Sequence, residues 1–167
     1  YDYETQVITM DIPNSLKAPC AEYPLGTDEF GRDILARIVH GSRMSLIISF
    51  TSVAISLVIG GICGALSGYF GGRIDNLIMR ITDILLAIPM TLFAIVIVAA
   101  LGPSTKNLAI ALAASSIPVF ARIVRSAVLT VRDVEYIEAA RAIGATNGTI
   151  ILGHVLPNCL SPIIVQV

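Results

Sequence analysis

Charged residues vanish from the chain between Met44 and Gly72, leaving the run SLIISFTSVAISLVIGGICGALSGYF. At about 1.5 Å per residue this run is long enough to cross a hydrocarbon core of roughly 30 Å, so the pattern predicts a first membrane span over about residues 44–70. Within it Ser45, Ser49, Ser52, Ser56, Gly60, Gly64 and Gly68 recur at steps of three and four residues and fall on one helix face. Gly60, Gly64 and Gly68 form a doubled G-x-x-x-G, which lets two helix backbones approach closely; the face is read as helix packing rather than as a pore lining.

A turn, FGGRID, leads to a second helical run over about 76–101. Arg80 and Asp83 stand three residues apart and are expected to pair on one face, whereas Ile84 to Leu101 is uncharged. Pro89 is expected to kink this span. After the turn GPSTKN a third helix is predicted over about 107–131, with a second kink at Pro118. Only Leu108 to Ala121 is free of charge, so Arg122 must snorkel or lie against water or a partner subunit.

Beyond Val131 the pattern turns mixed. Asp133 is placed to cap a helix through Ile143, and Gly144 to end it in a left-handed conformation. Thr146 or Asn147 then caps a second short helix, expected to stop before Pro157. Residues 133–157 thus form a helix-turn-helix elbow at a membrane surface, and a further apolar run starts near 161. Upstream, in GTDEFGRDILARIVHGSR, Thr27 is expected to cap a helix with Phe30, Ile34 and Ile38 on one face, Arg32 and Arg37 on others, and Gly41 at its end. Such a helix suits the membrane interface and belongs to an external segment over residues 1–43.

Composition agrees with lipid as the solvent. Hydrophobic residues make up 55% of the chain and charged ones 14%, with a mean hydropathy of +0.82; a soluble domain carries roughly a quarter charged residues. The fold class is therefore all-α integral membrane, a multi-pass helical bundle. Cys20, Cys63 and Cys159 lie far apart and show neither metal-ligand nor disulfide spacing. DNA binding by the elbow is excluded, since Arg141 is its only basic residue after Arg132. The only lysines are Lys17 and Lys106, neither in a G-K-[ST] context, so no phosphate-cradling loop is present and any ATP must be handled by another subunit. No catalytic group, metal site or cofactor is expected. The first residues lack a basic start and an apolar stretch, and the chain stops as an apolar run begins, so it reads as a piece of a longer protein with spans missing at each end.

Arginine placement gives an orientation. Arg73 and Arg80 follow the first span, and Arg122, Arg125, Arg132 and Arg141 cluster around the end of the third, whereas the connection between spans two and three offers only Lys106. The elbow is therefore read as cytoplasmic, although Lys17, Arg32, Arg37 and Arg43 in the external segment pull the other way.

The elbow sequence EAARAIGATNGTIILGHVLPN resembles the EAA motif of bacterial ABC importer permeases: Glu138, Ala139 and Ala140, Gly144 four positions after the second alanine, then Leu156 and Pro157. The usual Ile two residues before that Leu is His154 here, which is similar to the H-[IV]-L-P-N variant of the oligopeptide, dipeptide and nickel branch. The segment from Pro24 to Leu46 resembles that branch's other characteristic stretch, and the similarity runs from about Ala18 to the end. The resemblance implies a type I importer permease fold in a bacterial inner membrane. It also implies a second permease subunit, two cytoplasmic ABC ATPases and an extracytoplasmic binding protein as partners, and a peptide as cargo, with nickel or another small solute as the alternative. Glu138, Ala139, Ala140, Arg141, Gly144, His154, Leu156 and Pro157 would then meet the ATPases. An ion-driven transporter is the competing class, but its paired intramembrane charges are not evident in spans interrupted only by Pro89 and Pro118. A membrane enzyme finds no support, with His40 and His154 both outside the spans.

Overall fold

The computed structural model describes residues 7–159 and residue 164; the apolar run expected from 161 lies outside these residues. The regular elements are helical: α1 Ile34–Phe70, α2 Gly72–Leu86, α3 Met90–Leu101, α4 Thr105–Val131, α5 Glu135–Ala142, α6 Asn147–Ile150 and α7 Leu156–Asn158, with a 3-10 turn Ile12–Asn14 and a π turn Ile151–Val155. The chain divides into two compact units, Tyr1–Ser49 and Phe50–Val167.

In the first unit, residues 7–33 fold back on themselves as a loop. The Asp11 N–H donates to the Phe30 carbonyl at 2.9 Å, and a β-bridge joins Thr27 to Asp33. Gly31 has φ +76, and a Cβ there would sit 1.7 Å from the Asp11 carbonyl oxygen, so this close approach admits glycine alone. Asp28 organises the turn: it accepts from the N–H of Phe30 at 2.9 Å and of Arg32 at 3.0 Å, from Arg32 Nε at 2.9 Å, and from the Arg37 guanidinium. Partial burial pushes the Asp28 carboxyl up, but the hydrogen bonds from Arg32 and Phe30 outweigh it and hold the group at about 2. Thr27 therefore caps no helix; its hydroxyl donates to the Asn14 carbonyl and accepts from the Lys17 N–H. The helix starts instead at Ile34, where Asp33 Oδ1 accepts from the N–H of Leu35 at 2.8 Å and of Ala36 at 3.4 Å. It runs through Gly41 without a break. A separate interfacial helix is thus replaced by the first turns of one 37-residue helix, about 55 Å long, which exceeds a hydrocarbon core of roughly 30 Å.

In the second unit, α1 and α4 are held by small residues in a constant register. Ser52 Oγ donates to the Ala109 carbonyl at 3.0 Å and Ser56 Oγ to the Ala113 carbonyl at 2.9 Å, each pair 57 residues apart. The same offset continues at the glycines. A Cβ on Gly60 would lie 2.7 Å from the Ile117 oxygen, on Gly64 2.4 Å from the Ala121 oxygen, and on Gly68 3.0 Å from the Arg125 oxygen. Partners that advance together along both helices mean that α1 and α4 run in the same direction. The α4 side of the seam is small as well, with Ala109, Ala113 and Ala121 buried. Ser104 caps α4 by accepting from the Asn107 N–H at 3.1 Å, and the helix continues through Pro118 to Val131.

The second expected span is broken rather than kinked. α2 and α3 meet at 87° across residues 87–89, with Pro89 as the cap of α3. Pro89 offers no N–H and cannot follow a helical residue comfortably, so α2 stops before it and α3 restarts after it. The expected Arg80–Asp83 pair does not form. Asp83 reaches across to α4, where Arg122 Nη2 donates to Oδ1 at 2.6 Å. Eight residues earlier, Asp75 takes a bidentate contact from Arg125, at 2.5 and 2.6 Å, and a further hydrogen bond from Ser67 Oγ.

Two outcomes test this packing. Gly64→Ala should lower the melting temperature of the solubilised protein, since the added carbon strikes backbone and Val124 Cβ. Gly61→Ala, one residue along in α1 with nothing within 4 Å, should be neutral or stabilising, because alanine favours helix over glycine by about 1 kcal/mol. In the loop, the folded Asp28 value lies below the ordinary 3.8, so its tie stabilises above that pH and fades only as pH falls toward about 2. Pepsin should cut residues 7–33 slowly near pH 3.8 and rapidly near 2, and Asp28→Asn should be cut rapidly at both.

Candidate functional site

The elbow after α4 is fastened by its apolar side. Ile137 and Ala140 of α5, Ile150 of α6, Ile151 and Val155 of the π turn, and Cys159 pack into one cluster with Ala65 and Tyr69 of α1 and Val124, Ala127 and Val128 of α4. Helices running in parallel bring these two ends to one place, and the elbow closes over both.

The turn within the elbow is built by hydrogen bonding. The Ala145 N–H donates to the Ala140 carbonyl at 3.1 Å and the Gly144 N–H to the Arg141 carbonyl at 3.0 Å, the paired bonds of a Schellman ending. Gly144 carries φ +85, and a Cβ there would meet open space, so the demand for glycine is conformational rather than steric. Thr146 caps α6, its hydroxyl accepting from the Thr149 N–H at 3.3 Å. Asp133 is not the cap of α5; it pairs with Arg132 at 3.0 Å, and Val134 occupies the cap position. Helical backbone also passes Pro157 instead of stopping ahead of it. The wide π turn, in which the Leu156 N–H reaches back to Ile151, makes room for the ring, and Pro157 falls in the first turn of α7, where no N–H is needed.

Polar contacts pin the elbow at its edges. Tyr69 Oη lies 3.0 Å from Asn147 Oδ1, the Arg141 guanidinium stands 5.2 Å over the Tyr69 ring, and Arg132 Nη1 donates to the Gly68 carbonyl at 3.0 Å. Of the residues singled out in the sequence, Ala140 is buried in the cluster and Leu156 packs against it. Glu138, Ala139, Arg141 and Gly144 remain exposed on α5 and its end, and His154 and Pro157 are exposed on the second stretch. Ile143, at the tip, is 86% exposed. Sequence reasoning missed Tyr69 and the contacts that Asn147 and Arg132 make: Tyr69 and Asn147 stand 78 positions apart, and no local pattern announces such a contact. Cys159 is enclosed in the cluster, and burial pushes its thiol up.

The architecture is that of an all-α membrane protein: among the described residues two helices are long and apolar enough to cross a bilayer, with a third span if the bent pair is one. Residues 56–167 match the family described as binding-protein-dependent transport system inner membrane component, and the chain belongs to that family. Among its curated relatives is the dipeptide transport system permease protein DppC of Alkalihalophilus pseudofirmus, 53% identical over 92% of this chain and 50% of that protein. Others are the di/tripeptide transport system permease protein DppC of Pseudomonas aeruginosa, 46% identical over 92% of this chain and 51% of its own length, and the glutathione transport system permease protein GsiD of Pectobacterium atrosepticum, 44% identical over 89% and 50%. The chain spans about half the length of the curated relatives it matches.

Tyr69 tests the fastening. Tyr69→Phe removes only the hydroxyl and should cost about 1 kcal/mol, whereas Tyr69→Ala also empties the seat between the helix ends and should cost about 3–5 kcal/mol. Limited trypsin digestion should show faster cleavage after Arg141 in Tyr69→Ala and little change in Tyr69→Phe.

Proposed function

We propose that this chain is part of the pathway-forming permease subunit of an ATP-binding-cassette importer for short peptides. It would work with a second permease subunit, two cytoplasmic ATPases and an extracytoplasmic binding protein. The observation that carries the reading is the elbow: a two-helix lever, bound to the ends of α1 and α4 on one side, that leaves Glu138 and a nearly bare Ile143 exposed. An apolar side chain beside charged ones at a tip suits a protein groove better than water. The ATPase pair supplies the energy by binding this lever differently in its two nucleotide states, since a partner can shift an equilibrium only by its differential affinity. Peptide as cargo is supported by the dipeptide, di/tripeptide and glutathione transport named for the relatives.

The parallel register of α1 and α4 supports three crossings. If both traverse the bilayer in the same direction, the chain between them must cross back once, so the bent pair α2 and α3 acts as one broken span. The arginines near the elbow support a cytoplasmic elbow, with residues 7–33 outside.

Gly144 separates coupling from folding. Gly144→Val must hold a branched side chain at positive φ and should cost about 1–3 kcal/mol locally, while Gly144→Asn, which tolerates that conformation, should behave nearly as the unaltered protein. In membranes of cells carrying the full importer, Gly144→Val should leave permease abundance near normal yet reduce ATPase copurification and abolish uptake. Glu138→Lys should weaken docking more mildly through the wrong surface charge. Normal docking and normal uptake per molecule in Gly144→Val would overturn the coupling role.

A further inference from the structure

Two ion pairs join α2 to α4, and they are built differently. Asp75 and Arg125 meet through two hydrogen bonds, Ser67 adds a third, and the two side chains are only 17% and 30% exposed. Asp83 and Arg122 meet through one contact of 2.6 Å and are 61% and 56% exposed. The first pair is closed. The second leaves one carboxylate oxygen and most of a guanidinium fork without a bond.

Its depth makes that openness informative. Arg122 lies nine residues before the end of α4, roughly 13 Å along the axis of a helix long and apolar enough to cross a bilayer. Charges at such depth do not face lipid; they face protein or water. The break over 87–89 begins four residues beyond Asp83, and Ala87 to Thr91 are exposed, with the first N–H groups of α3 lacking helical partners. Irregular backbone within a membrane also requires protein or a wet cavity. Along the same face of α4 the exposed residues after Arg122 are Ser126 and Thr130, and along α2 Asn76 and Arg80 precede Asp83, so a polar strip runs past the pair, with Ile84 and Ile88 exposed beside it.

We infer that this face of α2 and α4 lines the water-filled pathway, and that the Asp83–Arg122 pair opens to hold the two charged ends of a zwitterionic solute, carboxylate on Arg122 and ammonium on Asp83. The inference rests on the peptide-importer reading and adds the pathway wall to it. A guanidinium fork offers a carboxylate two parallel N–H donors, where the single bond to Asp83 uses one.

The test uses the full-length permease assembled with its ATPases and binding protein in proteoliposomes, with Cys20, Cys63 and Cys159 replaced by serine. Ser126→Cys, one turn beyond Arg122, and Ile95→Cys, on an exposed apolar position of α3, are treated with a charged, membrane-impermeant methanethiosulfonate. Labelling of Ser126→Cys is expected to be at least about tenfold faster, since charge does not enter lipid, and glycylglycine should slow it in at least one nucleotide state. That protection should vanish in Ser126→Cys with Arg122→Gln and persist with Arg122→Lys. Slow labelling at both positions would show that a partner helix or lipid covers the face and would overturn the inference. So would rapid labelling that glycylglycine never slows in a transporter that takes glycylglycine up. Failure of the unaltered transporter to take up any short peptide counts instead against the cargo reading.

Discussion

No side-chain carbon fits on Gly60, Gly64 or Gly68, because the carbonyls and Cβ atoms of α4 occupy that space. Two apolar helices in lipid gain little from hiding apolar surface from each other, so close backbone contact and hydrogen bonds must hold them. The seam supplies both: three glycines that admit the neighbouring backbone, then Ser56 and Ser52 donating to carbonyls at the same offset. The rest of the second unit depends on that register. Parallel packing gathers the ends of α1 and α4 at one place, and there Tyr69, Ala65, Val124 and Val128 offer a floor to which the elbow binds.

The same ends collect the charge. Arg125 and Arg132 turn back toward Asp75 and the Gly68 carbonyl, tying α4 to the start of α2 and the end of α1. An aspartate and an arginine this enclosed lose solvation that only their partner replaces, so the ties are conditions of the fold rather than decoration. Of the two pairs between α2 and α4, Asp83–Arg122 keeps an open side, close in sequence to the break over 87–89. Function in a membrane transporter concentrates where such groups need water.

Much of this was legible in the chain. Spacing alone exposed the small face of α1, the left-handed demand at Gly144 and a cap at Thr146 or Asn147, which Thr146 provides, because each is a local rule read over a few turns. Composition and the uncharged runs carried the fold class, and the family motifs narrowed it. What failed was whatever another element decides. Arg80 and Asp83 sit well for a local pair, yet α4 presents Arg122 to Asp83 from 39 positions away. Thr27 has the chemistry of a cap, but its hydroxyl is used to close a loop on Asn14 and Lys17, and Asp33 starts the helix. Pro89 was read as a kink and became a break. Pro157 was read as a stop and was bypassed by a π turn. Composition places prolines, and the surrounding packing decides how the backbone accommodates them.

The parallel seam is tested most directly by disulfide trapping within a full-length permease freed of Cys20, Cys63 and Cys159. Cysteine pairs placed at Ser52 with Ala109 and at Ser56 with Ala113 should crosslink rapidly on mild oxidation in native membranes, and Ser52 with Ala121 should not. Crosslinking of Ser52 with Ala121, with none between Ser56 and Ala113, would show that the helices do not keep this register, and the shared floor beneath the elbow would then be lost.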